Sequence, residues 1–347
     1  MFELYQRFTI MSLMNKDIKK IAIVRLSALG DIINSAVVLQ YIKQNYPHAT
    51  VTWIVEDAFA GILQNAKYLD NIHRVNLKKL KKEKSFKLLK EEYKKLKNIA
   101  DFDIIIDMQG LIKSAIVARI LGKATHGFDK KSTRESLAAL LYHTTTDIAY
   151  EANVVSRNAK IISDALDIEI NEAMIQKKEP LFKITKDFEL RSDSKNLAFV
   201  IGASWPSKIY PKEAVVKICT ALQEQCYIIW GNEKELEDAK WICEHSEYAT
   251  LAPKLSLDEL VSFISHMDLL IGNDTGPTHI AWAQNIPSIT LLGPTTTRMT
   301  GETPKNIGIK SPSAVNLLKI NKNDFSIEEI PHQEVTQKAK ELLRNGL

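Results

Sequence analysis

Cysteine is scarce in this chain of 347 residues: Cys219, Cys226 and Cys243 leave one over from any pairing and show no paired metal spacing. That usage fits a reduced, cytoplasmic compartment rather than a disulfide scaffold. No stretch approaches the roughly 18 uninterrupted apolar residues that a membrane span requires. The eight histidines are scattered, without an H-x-x-x-H pair or a His/Cys cluster, so no transition-metal site is indicated. Glycine is missing where a dinucleotide would need it, because the turn after the first strand holds Gly30 alone in place of G-x-G-x-x-G. An NAD or FAD reading is therefore weak, and no cofactor is expected. There is no short-period repeat and no low-complexity segment. The opening MFELYQRFTIMSLMNK carries Glu3 and lacks a long apolar core or a small-residue cleavage site. It reads as an upstream extension rather than a signal peptide, with Met11 or Met14 nearer the functional start.

What is present is an ordinary globular composition, 45% apolar and 25% charged, at a length that exceeds one hydrophobic core. Two domains are expected. The net charge of +4 hides an asymmetry: Arg74 to Lys97 holds eleven Lys or Arg against three Glu, a local +8, so the remainder is −4. A basic patch this local suggests an anionic partner for one surface and does not mark a nucleic-acid-binding protein.

Along the chain, strand and helix patterns alternate twice. Lys20 to Leu26 is a buried strand, followed by a helix from about Ile32 to Gln44 and a strand at Val51 to Val55. Ser85 to Ile99 sets Phe86, Leu89, Tyr93 and Leu96 at helical spacing, which predicts a helix lying on its domain with that stripe inward. A strand ends at Asp107, a helix follows over Leu111 to Leu121, and further helices are expected near Arg134 to Tyr142 and Glu151 to Leu166. After a polar stretch the alternation restarts at Leu197. The expected fold class is α/β, two Rossmann-like doubly wound parallel sheets facing a cleft. The boundaries are an N-terminal domain over 15–175, a linker over 176–194, a C-terminal domain over 195–320, and a tail over 321–347 whose helix could pack on either domain.

Three turns carry candidate chemistry. Asp268 to Pro294 reads as strand, turn, helix, strand, with Asn273-Asp274-Thr275-Gly276-Pro277 in the turn. Thr275 or Gly276 can cap the helix, and its N-terminus is a phosphate site with an acid beside it for sugar hydroxyls. Asp31 stands where strand one meets helix one, the edge at which open sheets bind ligands. Ser204-Trp205-Pro206-Ser207-Lys208 occupies the equivalent turn of the second half and offers a hydroxyl and a cation to phosphate. Asp101-Phe102-Asp103 has the form of a metal-ion string but precedes a strand, so it is read as structural. The basic loop with Lys78, Lys79, Lys81, Lys82 and Lys84, together with Arg134, would meet an anion larger than a nucleotide sugar, such as a phosphorylated lipid headgroup.

RLSALGD (25–31), DMQGLIKSA (107–115), STRESLAALLY (132–142), WGNEKE (230–235), KLSLDEL (254–260) and NDTGPTHIAWA (273–283) together resemble the lipopolysaccharide heptosyltransferases, most of all the type I enzymes. The resemblance runs from about Lys20 to Pro294. It implies a GT-B fold and inverting, metal-independent transfer of L-glycero-D-manno-heptose from ADP-heptose to Kdo of Kdo-modified lipid A, in a cytoplasmic protein peripheral to the inner membrane. It carries the catalytic base to Asp31, the phosphate-binding lysine to Lys208, a phosphate-contacting hydroxyl to Ser204 and the ribose-binding acid to Glu235. Asp274, Thr275 and Gly276 form the sugar and diphosphate loop, with His279 following. Arg134 and the 78–84 lysines match basic positions facing the acceptor. The chain departs from relatives at Leu255, where a Met packs near the nucleotide, and at Ala203, where a hydroxyl stands. Alternatives are a GT-B transferase that adds a later heptose or uses another nucleotide sugar, and, from a different class, a two-lobed solute-binding protein.

Overall fold

Why the strands are parallel is visible in their composition. Ile21, Ala22, Ile23 and Val24 are all fully buried, as are Leu269 and Leu270, so these runs are covered on both faces, the condition in which β-branched and aliphatic residues form parallel sheets. The computed structural model describes residues 18–99, 101–315 and 320–345. The opening segment with Met11 and Met14 lies outside the described residues. The chain divides into two compact units between Lys178 and Glu179.

The first unit contains β1 (Lys20–Val24), α1 (Leu29–Ser35), α2 (Val38–Asn45), β2 (Thr50–Glu56), β3 (Asn71–Val75), α3 (Leu77–Glu83), α4 (Phe86–Asn98), β4 (Ile104–Asp107), α5 (Ile112–Leu121), β5 (Thr125–Phe128), β6 (Thr144–Thr146), α6 (Val154–Leu166) and α7 (Glu172–Gln176). Its sheet order is β3-β2-β1-β4-β5-β6, every pair parallel. The second unit contains β7 (Asn196–Val200), α8 (Lys212–Leu222), β8 (Gln225–Ile229), α9 (Glu233–His245), β9 (Ala249–Leu251), α10 (Leu257–Ser265), β10 (Leu269–Asn273), α11 (Gly276–Ala283), β11 (Ser288–Leu292), β12 (Asn306–Lys310) and α12 (His332–Asn345). Its order is β12-β11-β10-β7-β8-β9, again parallel throughout. In each sheet the strand order reverses beside the first strand, between β1 and β4 and between β7 and β10. Loops leaving the carboxyl ends there diverge and leave room for a ligand.

Several expectations are corrected. The helix over 32–44 is two helices: Ser35 Oγ bonds back to the Asp31 carbonyl at 2.7 Å, and the Ala36 N–H is shared between Ile32 and Ile33, which ends the first helix. Residues 134–142 form only a 3₁₀ turn over Ser136–Leu141. The basic loop is the short helix α3, ended by Lys84 in the left-handed region with its N–H on the Leu80 carbonyl. Of the stripe of α4 only Leu96 points inward. Phe86 is 80% exposed, and Leu89 and Tyr93 are exposed too, while the buried face is Leu96 and Glu92. Glu92 is held there by Lys95 Nζ at 2.7 Å and the Asn76 N–H at 3.3 Å. The closing helix α12 packs on α8 within the second unit and places Val335, Ala339 and Leu342, spaced four and three apart, in its core.

Candidate functional site

In the second unit the switch point gathers Lys208, Asp274 and His279. Lys208 ends a 3₁₀ turn over Pro206–Lys208, beyond β7, and Asp274 follows β10. Lys208 Nζ lies 2.7 Å from Asp274 Oδ2, with the side chains 10% and 5% exposed. His279 Nε2 stands 3.6 Å from the other carboxylate oxygen, longer than a hydrogen bond. Burial by itself would raise the Asp274 pKa, but His279 and Lys208 outweigh it and hold the carboxyl well below its ordinary range.

The two turns are fastened by Asn273, which is fully buried. Its Nδ2 donates to the Ile201 carbonyl at 2.7 Å, and its Oδ1 accepts from the Tyr210 N–H at 3.1 Å, so one side chain ties the end of β10 to both sides of the lysine turn. Thr275 is the N-cap of α11, yet its hydroxyl makes no capping bond, and Thr278 Oγ1 instead donates to the Asn273 carbonyl at 2.6 Å. Thr275 and Gly276 are half-buried at the helix N-terminus, where the partial positive charge favours an anion. Trp205 has two cations near its ring, Lys208 Nζ 5.3 Å and Lys322 Nζ 4.8 Å from the centroid.

Glu235 is fixed in the first turn of α9, accepting from the Gly231 N–H and from Asn232 Nδ2, each at 2.7 Å. A Cβ on Gly202 would fall 2.5 Å from its carboxylate carbon, so only glycine lets this acid reach the end of β7. A cavity of about 470 Å³, with Ala203, Pro206, Lys212, Asn232 and Glu235 in its lining, lies alongside, within the size range of small-ligand pockets. Ser204 is exposed at the turn, and Ser207 is buried with its hydroxyl unpartnered. Leu255 is half-buried in the loop between β9 and α10.

In the first unit Asp31 lies in the first turn of α1. Its Oδ2 accepts from the Ala28 N–H at 3.2 Å, and its Oδ1 is 2.9 Å from Arg25 Nη2. Arg25 is buried and donates through Nη1 to the Met108 carbonyl. Behind it Gln109 accepts from the Leu26 N–H at 2.9 Å and donates to Ser27 Oγ at 3.2 Å, while Asp107 takes the Gln109 and Gly110 N–H groups. Tyr142 donates its hydroxyl to Asp107 at 2.7 Å, Thr133 donates to the Gly110 carbonyl, and Glu135 accepts from the Ile112 N–H at 2.7 Å. Burial pushes the Asp107 carboxyl up despite these three donors. Residues 107–112 thus form one brace with Thr133, Glu135 and Tyr142 beneath the Asp31 turn. Sequence reasoning gave no role to Arg25, Gln109, Asp107, Tyr142 or Asn273. The signal was there in part: polar residues at the ends of otherwise apolar strands.

The α3 lysines and Arg134 are exposed. Among the described residues only Lys78 of these is engaged through its ammonium with an aromatic, 4.5 Å from the Phe59 ring centroid, and Lys79 is 3.9 Å from Glu83. Asp103 accepts from the Lys19 and Lys20 N–H groups at the amino end of β1. That is a structural contact.

Comparison with known proteins places this arrangement. Residues 92–328 match the model of glycosyltransferase family 9 (heptosyltransferase). The chain is 37% identical to lipopolysaccharide heptosyltransferase 1 of Campylobacter coli, covering 93% of this chain and 98% of that protein. It is 26% identical to the protein of the same name from Escherichia coli K12, covering 87% and 96%. Among solved structures, E. coli heptosyltransferase WaaC with ADP aligns at a TM-score of 0.78 and 24% identity over 93% of this chain and 99% of that one. The fold is that of the GT-B glycosyltransferases. The chain belongs to glycosyltransferase family 9, the heptosyltransferases.

Proposed function

We propose that this protein transfers L-glycero-D-manno-heptose from ADP-heptose to Kdo of Kdo-modified lipid A, inverting the anomeric centre without a metal ion, at the inner face of the cytoplasmic membrane. The observation that carries this reading is the buried Lys208–Asp274 pair beside the N-terminus of α11. It sets a cation and a helix end where a diphosphate departs and an acid where sugar hydroxyls approach. The relatives named lipopolysaccharide heptosyltransferase 1 and the structures of WaaC with ADP and with ADP-2-deoxy-2-fluoro heptose support the donor and the reaction.

In this reading the second unit takes the donor. Glu235 accepts the ribose hydroxyls, Leu255 packs near the base, and Ser204 with Lys208, Thr275 and Gly276 holds the diphosphate. Asp274 and His279 meet the heptose. As the bond from the anomeric carbon to the phosphate oxygen breaks, negative charge grows on ADP, and Lys208 with the α11 N–H groups offsets it. Asp31 of the first unit accepts the proton of the attacking Kdo hydroxyl. A carboxylate is too weak to take that proton outright, so transfer comes late, as the oxygen bonds to a carbon of oxocarbenium character. Arg25 fixes the Asp31 oxygen that is not presented to the hydroxyl. The α3 lysines and Arg134 meet the acceptor's anionic groups.

The test is incubation with ADP-heptose and either bare or singly heptosylated Kdo-lipid A, following ADP release and acceptor mass. Turnover of the bare acceptor alone is expected. Product from the heptosylated acceptor only would assign the later step instead, and binding of ADP-heptose without turnover of any acceptor would remove the transferase reading.

A further inference from the structure

The face of the first unit formed by α4, α5 and the 3₁₀ turn over Ser136–Leu141 is apolar on its outside. α5 packs between the other two. Their inner sides, Leu96 of α4 with Val117, Ala118 and Leu121 of α5, cover the sheet residues Ala22, Val24 and Ile105 in one core. The outer sides should then be polar throughout, and they are not. Phe86, Leu89 and Tyr93 form an exposed stripe on α4, Ile112 and Ile116 are exposed one turn apart on α5, and Leu137 and Leu140 are exposed on the 3₁₀ turn, Leu140 at 79%. Seven of the eleven exposed large apolar side chains of the described residues lie on these three neighbouring elements, so they form a local feature and are not the scattered apolar residues of any surface.

Charge accompanies the apolar side chains. Lys87, Lys90, Lys94 and Lys97 stand on the same outer side of α4, all exposed, and Lys97 Nζ is 6.0 Å from the Tyr93 ring centroid. Lys113 and Arg119 follow Ile112 and Ile116 on the exposed side of α5. A surface with aromatic and aliphatic side chains interleaved with lysines matches the interface of an anionic bilayer, where apolar groups enter the acyl boundary while ammonium groups stay at headgroup phosphates. An acidic protein partner would satisfy the lysines but leave α4, α5 and the turn without the deep apolar pocket that anchors a protein interface.

We infer that this α4–α5–Ser136 face docks the protein on an anionic phospholipid bilayer, the apolar side chains inserting and the lysines pairing with headgroups. The inference rests on the membrane part of the proposed function, and it names the surface responsible. It also gives a reason for the outward Phe86, which follows Lys84, the last of the lysines assigned to the acceptor, by two residues: one side of the unit would meet both a lipid-anchored acceptor and the lipids around it.

Co-flotation of the full chain with vesicles of phosphatidylethanolamine and phosphatidylglycerol tests this, against vesicles of phosphatidylcholine alone. Binding is expected to the first and not the second, falling as salt rises. Phe86→Ser/Leu89→Ser/Tyr93→Ser should lower vesicle affinity at least about tenfold, as should Leu137→Ser/Leu140→Ser, because each removes the transfer of two or three apolar side chains. Ile184→Ser, an exposed apolar residue of the second unit, serves as the control and should change nothing. All variants should retain turnover of a de-acylated, water-soluble Kdo acceptor, which shows that they fold. Loss of vesicle binding with that turnover intact supports the docking face. Vesicle binding unchanged in both serine variants, or wild-type protein that binds neither vesicle, overturns it. Failure of the transferase reading shows separately, as no turnover of the soluble acceptor by the wild type.

Discussion

Lys208 and Asp274 form an ion pair of 2.7 Å from turns that follow different strands, with both side chains nearly buried. Such a pair is held by geometry, because the desolvation of two charges is repaid only where partners are well placed. Asn273 supplies that placement by bonding both turns.

Breaking the pair from one side should therefore be costly. Asp274→Asn leaves Lys208 buried without its counter-charge and is expected to destabilise the fold by about 3–5 kcal/mol, while Lys208→Met/Asp274→Asn should lose less than the sum of the two single changes. The pH dependence has a definite sign. Because the folded Asp274 carboxyl is held below its ordinary range, its stabilisation is fully present above the unfolded value of about 3.9 and is lost as pH falls towards the lower folded value. Denaturant unfolding at neutral pH and near pH 3 should show the gap between wild type and Asp274→Asn narrowing on the acid side.

The parts of the fold legible from sequence were those with strong apolar runs. The strand Lys20–Val24 and the strand, turn, helix and strand between Asp268 and Pro294 fall where the pattern puts them. The edge strands Asn71–Val75, Thr144–Thr146 and Asn306–Lys310 were not, because NIHRV, TTT and NIGIK are polar or short and owe their conformation to the neighbouring strand. At the site, the turn positions of Lys208 and Asp274 could be read from strand and helix signals, but their pairing could not, since 66 residues separate them and only the parallel registers of β7 and β10 bring them together. The outward stripe of α4 was hidden by periodicity itself. Spacing shows which residues share a face, and burial of Glu92 by Lys95 and Asn76 decides which face turns in.

Donor chemistry should not depend on a divalent ion. Lys208 and the α11 N-terminus would provide the charge that Mg²⁺ or Mn²⁺ supplies in other transferases, so turnover should persist in EDTA. Loss of ADP release on chelation with recovery on adding either ion would count against this assignment and reopen the roles of Asp101 and Asp103.

Neutralising Lys78, Lys79, Lys81 and Lys82 together should raise the KM for Kdo-lipid A and flatten its dependence on salt, with ADP-heptose affinity unchanged. Exposed ammonium groups act through screened charge, so the effect belongs to the anionic acceptor. Steady-state kinetics across a salt series would show it. Identical acceptor KM values in variant and wild type would leave α3 a solvated basic helix and no more.

Asp31 and Arg25 should separate cleanly by their kinetics. Asp31→Asn keeps the shape of the carboxylate and can still accept from the Ala28 N–H, but it cannot take a proton. General-base catalysis typically contributes about 10² to 10⁴ in rate, roughly 3 to 5.5 kcal/mol of barrier, so kcat should fall by that factor with ADP-heptose affinity nearly intact. Arg25 acts through Asp31 and the Met108 carbonyl, so Arg25→Lys, which restores the charge but not the fork that reaches both, should lower kcat less than Asp31→Asn. In the Asp31→Asn background the Arg25 change should have little further effect on kcat, because its route to the reaction is gone. Single-turnover measurements make chemistry the observed step. An Asp31→Asn variant that keeps more than about a tenth of the wild-type rate there would leave this carboxylate as a helix-start residue paired to an arginine, with the proton taken elsewhere.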